Sequence, residues 1–542
     1  MFSSLKRIPG TALALILLTS PVYAADVSAE GAAALKTLIQ SEIDARKNVH
    51  TASGSELITQ GDLKVETADG YYAVTMPHIK VKDGSGVVVD VGMFAANVIP
   101  GDTPKEWKAS FAIPTPINII GKDGQSLGNV SFGKQRAAGV WDLDLKSFTR
   151  LDGEYGDIAF TAADQKNGFK IAKSTIRTLL KRDSVTGNLS GPSVGVFSDW
   201  SLNVPDESFS ATIKDMNFEV TVKDFDPKVA QSFNEQVMAL GQNGQTIAGS
   251  VGDGQNGIAL YNMLTDVISK SSDSFTTSFG LNGLSVTGKN AETQAPETFE
   301  LGTAGFGFDM GGFRSGSVKM SLRLNYGGLK LNNVTDPYKD LIPFASKIDL
   351  SINNLPFKEL VDLGRGTMTA TAGNPDAAQM AGLTAMMTVP KLLTDAGTNL
   401  THTLETTADS FKIDSNGVVN ANIKAILGYT ADENLTFTGL DKIVARINEE
   451  IKKPNNPEAA TLQSVLGTLS VMQMVGQKDP SDPDKRTYKL VVDEQGKTLM
   501  NGADLSTLMG GAGGAGGAAP VPGAEPAPAP APVTPDAPPA AQ

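Results

Sequence analysis

The stretch from Val318 to Gly364 sets the pattern of the chain. Val318, Met320, Leu322, Leu324 and Tyr326 alternate with Lys319, Ser321, Arg323 and Asn325, which predicts a strand with one apolar and one solvated face. Gly327-Gly328 supplies the positive φ of a tight hairpin, and Leu329 and Leu331 resume the alternation. Ile348, Leu350 and Ile352 then alternate with Lys347, Asp349, Ser351 and Asn353. Pro356 suits the first turn of a short helix carrying Phe357, Leu360 and Val361.

This unit of strand, turn, strand and short helix recurs. Leu35, Leu38, Ile39 and Ile43 fall at helical spacing, so 29–48 predicts an amphipathic helix that needs a sheet to lie on. From Leu57 the period becomes two. Short strands are expected around Leu63 and Val65, Val74 and Met76, and Ile79 and Val81. Asp69-Gly70, Asp83-Gly84, Asp123-Gly124, Asp152-Gly153, Asn167-Gly168, Asn282-Gly283 and Asn416-Gly417 all read as hairpin turns, and that many imply an antiparallel meander. Phe209, Ala211 and Ile213 are odd-numbered whereas Met216, Phe218, Val220 and Val222 are even, so a turn or bulge is required at Lys214-Asp215. Further helices are predicted from Asp226-Pro227 through Leu240, and over 258–270, 376–395, 441–451 and 462–475. The glycine-rich, polar segment 241–257 reads as a connector between two halves, 25–240 and 258–509.

The two ends differ from the body. Lys6 and Arg7, the apolar run Ala12 to Leu18 and Val22-Tyr23-Ala24 predict a signal peptide over 1–24, cleaved between Ala24 and Ala25. The apolar run is too short for the ~20 residues that span a bilayer. The mature chain is therefore expected to be periplasmic, with no transmembrane segment. Residues 510–542, almost entirely glycine, alanine and proline, are expected to form a disordered tail, because they cannot bury enough surface to offset their ordering entropy.

The formal charge of −13 becomes −15 without Lys6 and Arg7 (−13 − 2 = −15). With no basic run, nucleic acid is excluded as a partner, and docking on an anionic membrane face is disfavoured. The chain has no cysteine, which excludes disulfides, thiolate catalysis and cysteine metal sites.

No catalytic constellation stands out. Gly191-Pro-Ser193-Val-Gly195 matches G-x-S-x-G, but a nucleophile elbow needs a strand before and a helix after, and a strand follows here. Gly252-Asp-Gly254-Gln-Asn-Gly257 matches a dinucleotide fingerprint without the preceding strand. Ser131-Phe-Gly-Lys134 fits S-x-x-K without its supporting motifs. His50, His78 and His402 are isolated, and Asp479, Asp482 and Asp484 crowd a loop that lacks the glycine and distal glutamate of an EF-hand. Asp142 and Asp144 read as the wet face of the strand bearing Trp141, Leu143 and Leu145. No catalytic residue, cofactor or metal site is assigned, and no enzyme is expected.

The leader, the segment Phe111 to Gly139 (FAIPTPINIIGKDGQSLGNVSFGKQRAAG) and Leu341 to Leu360 (LIPFASKIDLSINNLPFKEL) together resemble a family of exported Gram-negative proteins with a domain of unknown function, the DUF2125-like proteins. More loosely, the chain is similar to the AsmA-like envelope proteins. The resemblance implies long, repetitive antiparallel sheets and brings no catalytic residues with it.

The expected fold is α+β: long, twisted antiparallel sheets in two halves, with short amphipathic helices on one face. One-sided strands must meet helices, another sheet or a ligand. The expected function is to bind or shield a hydrophobic envelope component such as a lipid. The alternative is a structural protein of the cell envelope that reaches another envelope protein through its Pro/Ala tail. A hydrolase would require Ser193 to converge with a histidine and a carboxylate.

Overall fold

The computed structural model describes residues 27–52, 54–242, 254–290, 293–332, 339–371, 375–454, 456 and 458–505. The expected leader with its Ala24–Ala25 cleavage site, most of the glycine-rich segment and the tail 510–542 lie outside the described residues.

Helix α1 (Ala29–Ala52) opens the chain, followed by β1 (Glu56–Gln60), β2 (Lys64–Ala68), β3 (Tyr71–Lys82), β4 (Val88–Pro100), β5 (Glu106–Ala112), β6 (Ile117–Ile120), β7 (Ser126–Ser131), β8 (Lys134–Asp142) and β9 (Ser147–Ala162). The middle holds β10 (Gly168–Leu179), β11 (Lys181–Arg182), β12 (Leu189–Val204), β13 (Phe209–Phe225), α2 (Pro227–Gln242), α3 (Gly254–Lys270), β14 (Ser274–Lys289) and β15 (Pro296–Gly311). Next come β16 (Ser317–Gly327), β17 (Lys330–Asn332), β18 (Ala345–Pro356), α4 (Phe357–Thr371), α5 (Pro375–Asp395), β19 (Asn399–Thr407), β20 (Lys412–Ala421) and β21 (Tyr429–Thr438). The described part closes with α6 (Leu440–Ile451), α7 (Ala459–Val475), β22 (Gln477–Lys478), β23 (Lys485–Val492), β24 (Thr498–Met500) and β25 (Ala503–Asp504).

All the strands join one antiparallel sheet. β1 and β2 both pair with β3, which pairs with β4. From β9 the ladder passes through β10, β12, β13, β14, β15, β16, β18, β19, β20 and β21 to β23. The expected division at 241–257 has no counterpart in this ladder. β13 and β14 flank that segment and pair directly, from Ser210 opposite Thr287 to Lys223 opposite Ser274. The connector is also shorter than expected, because α2 runs to Gln242 and α3 already begins at Gly254.

Three expected turns lie inside strands. Asp152-Gly153 is within β9, Asn282-Gly283 within β14 and Asn416-Gly417 within β20. Each glycine has a use other than reversing the chain. Gly417 lies under the His402 ring, where a Cβ would stand 2.7 Å from its Cε1, and Gly153 lies beside the Tyr155 ring. Gly283 takes the left-handed conformation (φ 64°) without leaving the strand. After Gly327-Gly328 the chain does not fold back on β16; β17 pairs with β15 instead.

The parity change at Lys214-Asp215 is met without a turn. Asp157, Asp199 and Gly283 are all left-handed, and the flanking pairs place them on one line across the sheet, with Ala172 and Lys214 between them. The apolar positions change parity there on both β13, from Ile213 to Met216, and β14, from Leu281 to Leu284. A left-handed residue re-aims the side chains beyond it while the strand continues. The change from Met76 to Ile79 has the same kind of cause: two register shifts of β3 against β4 fuse the two expected strands into one.

Helices cover the two ends of the sheet. The apolar side of α1 (Leu35, Leu38, Ile39, Ile43) packs on Tyr72, Val74, Met76, Ala96, Val98, Trp107 and Trp141. At the other end Leu440, Ile443 and Ile447 of α6 meet Phe437 and Tyr488, with Leu466 and Leu469 of α7 against them. The Tyr488 hydroxyl donates to the Met472 carbonyl (3.0 Å), and Arg486 bridges to Asp441 (2.8 Å). Helices α2 to α5 follow or precede strand ends, and α3 is tied to α4 by the Tyr261 hydroxyl donating to the Val361 carbonyl (3.2 Å).

Candidate functional site

Directly opposed residues of an antiparallel ladder point to the same face. The register therefore traces rows of side chains across the whole sheet. One row begins at Val74 and Ala96 and passes Phe111, Ala137, Gly153, Ile176 and Gly195. It continues through Phe218, Phe279, Phe306, Leu324, Ile348 and Leu404, then Ser415, Leu435 and Tyr488. A parallel row holds Val222, Phe275, Met310, Met320, Ile352, Leu400, Val419, Ala431 and Val492. Between them run Val220, Thr277, Phe308, Leu322, Leu350 and His402.

The opposite face is polar. Glu219, Ser278, Arg323, Asp349 and Thr403 lie along one of its rows. Ion pairs lace it: Arg323 to Asp309 (2.5 Å), Lys347 to Asp349 (3.0 Å) and Lys489 to Asp432 (3.1 Å).

The apolar face is closed at its ends and open in the middle. Val74 is 2% exposed beneath α1 and Tyr488 3% beneath α7, whereas Phe218, Phe279, Phe306, Leu324, Leu350 and Leu400 are 37–43% exposed. A side chain within a sheet row is screened by its lateral neighbours, so this degree of exposure means that none of the described residues packs over the row. Gly195 forms a flat seat for Phe218, since a Cβ there would be 2.1 Å from the ring. Phe197 packs against the same ring at 6.1 Å between centroids. The open part from β13 to β19 spans five strand spacings, about 24 Å. Helix α5, which contacts β18 and β20, carries exposed apolar residues of its own, Met380, Leu383, Met386 and Met387, all more than half exposed. Methionine gives an adaptable apolar surface.

The residues singled out in the sequence do not assemble into a catalytic centre. The Ser193 hydroxyl donates to Thr178 Oγ1 (3.1 Å). Ser193 and His402 stand in one row but six strand spacings apart, about 29 Å. His50 meets Ser55 (2.8 Å), and its pKa is lowered by burial and then by the nearby Arg46. His78 contacts Asp90 (2.5 Å), whose second oxygen takes Lys80 (3.3 Å). Burial pushes the Asp90 carboxyl up, but hydrogen bonds and charge from His78 and Lys80 together hold it below its usual value. His402 Nε2 lies 3.1 Å from Ser415 Oγ and 3.6 Å from Glu433 Oε1.

The acidic loop is internally satisfied. Asp479 accepts from the Ser481 hydroxyl (2.6 Å) and N–H (2.9 Å) and pairs with Lys485 (3.2 Å), which brings its pKa to about 2. Asp484 pairs with Lys442 (2.7 Å). Among the described residues no group of three or more acidic, histidine or cysteine side chains is arranged to hold a metal. Asp142 departs from the expected wet face: it is 1% exposed, pairs with Arg182 (2.5 Å) and accepts the N–H groups of Asp144 and Leu145 (3.0 Å each). The chain bends back there, and the carboxylate holds the turn. Asp144 remains more open, against Lys105 (2.7 Å).

A recess of about 570 Å³ lies between α3, the 313–317 loop and α4. Several of its charged groups pair with one another or with Asp224: Lys270 with Asp266 (2.9 Å), Lys358 with Asp362 (2.9 Å) and Arg314 with Asp224 (2.7 Å). It joins the helices to the strand ends, whereas the larger unsatisfied surface is the apolar face. Sequence alternation signals that face strand by strand, but the alignment of Phe218, Phe279 and Phe306 into one row depends on non-local register.

No protein-family model, no curated protein and no solved structure matches this chain. Among the described residues no helix is long and apolar enough to cross a membrane.

Proposed function

We propose that this is an exported, periplasmic protein that holds the alkyl chains of envelope lipids on the open face of its sheet, without chemistry of its own. The exported location comes from the leader and from the resemblance to exported envelope proteins. The observation that carries the binding role is the uncovered row Phe218, Phe279, Phe306 and Leu324. Alkyl chains fit such a surface because their burial is non-directional and asks for no hydrogen-bonding partner. The strip of about 24 Å accommodates a lipid tail, since one leaflet of a ~30 Å hydrocarbon core is about 15 Å deep. A protein partner docking by strand addition would instead use a sheet edge.

Native mass spectrometry of protein purified from envelope tests the role. The wild type should carry lipid, and the double variant Phe279→Asp/Phe306→Asp should lose it while keeping its β-rich circular dichroism. A wild-type protein that carries no lipid and takes up none when lipid is added would contradict the proposal.

A further inference from the structure

His402, Ser415 and Glu433 form a polar island on the apolar face. His402 is flanked along β19 by Leu400 and Leu404 and opposed by Leu350, and Glu433 is opposed by Leu490. Gly417 stands between them in the ladder, and its missing side chain lets the imidazole lie flat over the backbone. The buried Ser415 hydroxyl donates to Glu433 Oε1 (2.9 Å), so the contact from His402 Nε2 (3.1 Å) makes that nitrogen the donor to Ser415 Oγ. The hydrogen bonding is thus directed toward the carboxylate. Glu433 Oε2 accepts from none of the described residues, and the side chain is 34% exposed.

We propose that this island is a head-group subsite, taking the ammonium of a cationic amphiphile whose alkyl chain lies over Leu350 and Leu322. The inference rests on the alkyl-binding reading of the strip and adds a selectivity to it. The Glu433 carboxylate offers a free acceptor oxygen, which suits an N–H donor and disfavours a carboxylate or phosphate head. The described contacts of Glu433 engage Oε1 alone, and a bound ammonium would give Oε2 a donor.

Calorimetric titration of the full chain with dodecylammonium and dodecanoate, each below its micelle concentration at pH 7.5, separates the outcomes. The wild type should bind the ammonium roughly tenfold more tightly, or better, as expected for one charge-assisted hydrogen bond. Glu433→Gln should bring the two affinities together while the alkyl chain still binds. Asp432→Asn removes the same charge from the neighbouring, opposite-facing position and should keep the preference. Equal wild-type affinities, or a preference that survives Glu433→Gln, would overturn the subsite and leave the strip standing. Failure of both probes to bind would overturn the strip and the subsite with it.

Discussion

Single residues decide where this sheet bends and where it stays flat. Gly439 has φ 86°, and a Cβ there would lie 2.2 Å from the Ser410 carbonyl oxygen. Gly439→Ala should therefore destabilise the C-terminal end by about 2–4 kcal/mol, read as a lower unfolding midpoint. Asp142 is deeply buried and accepts from the Arg182 guanidinium and from the Asp144 and Leu145 N–H groups, so its removal leaves three donors without their acceptor. Asp142→Ala should cost about 3 kcal/mol by the same measurement, with Asp144→Ala near neutral. Asp479 gives a pH dependence. Hydrogen bonds from Ser481 and then Lys485 lower its pKa in the folded chain from 3.8 to about 2. Its contribution is thus complete above pH 3.8 and is lost as pH falls toward 2. The melting temperature of Asp479→Asn should lie below wild type at neutral pH and converge with it near pH 2. The dipeptide signals teach the matching lesson. Asp69-Gly70 and Asp123-Gly124 do turn, with left-handed glycines, while Asn416-Gly417 does not, because Gly417 serves a neighbour's ring across the ladder. Local sequence carries the first use of glycine and has no access to the second.

At the scale of elements, the helices and strand faces were legible because their apolar periodicity is local. Helix α1 shows it in four residues, Leu35, Leu38, Ile39 and Ile43, each 3% exposed or less. What the periodicity does not carry is whether a face is covered. Ile39 and Phe279 are both apolar residues of amphipathic elements, yet one is 0% and the other 43% exposed. They should respond in opposite ways. Ile39→Ala should lower stability by about 3–4 kcal/mol through cavity formation and leave alkyl binding intact. Phe279→Ala should change stability by about 1 kcal/mol or less and weaken alkyl binding. Denaturation and calorimetry on the same two variants check both halves of this contrast. The parity change along β13 shows a further limit. The sequence pattern located it at Lys214, but the left-handed residues that accommodate it, Asp199 and Gly283, sit on the neighbouring strands.

Across the whole molecule, a single ladder runs from α1 at one end to α6 and α7 at the other. The glycine-rich segment suggested a boundary because it interrupts the chain; the sheet is continuous there because β13 and β14 find each other in space. The molecule is thus two-faced over its length: charged pairs on one side, and on the other an apolar surface that α1 covers at one end and α6 and α7 at the other. Photo-cross-linking tests this most directly. A fatty acid with a diazirine near the middle of its chain, irradiated with the full chain and mapped by peptide mass spectrometry, should label the row around Phe218, Phe279, Phe306 and Leu324. Labelling confined to the polar face around Arg323 and Lys347, or to the recess between α3 and α4, would contradict an open, alkyl-binding sheet.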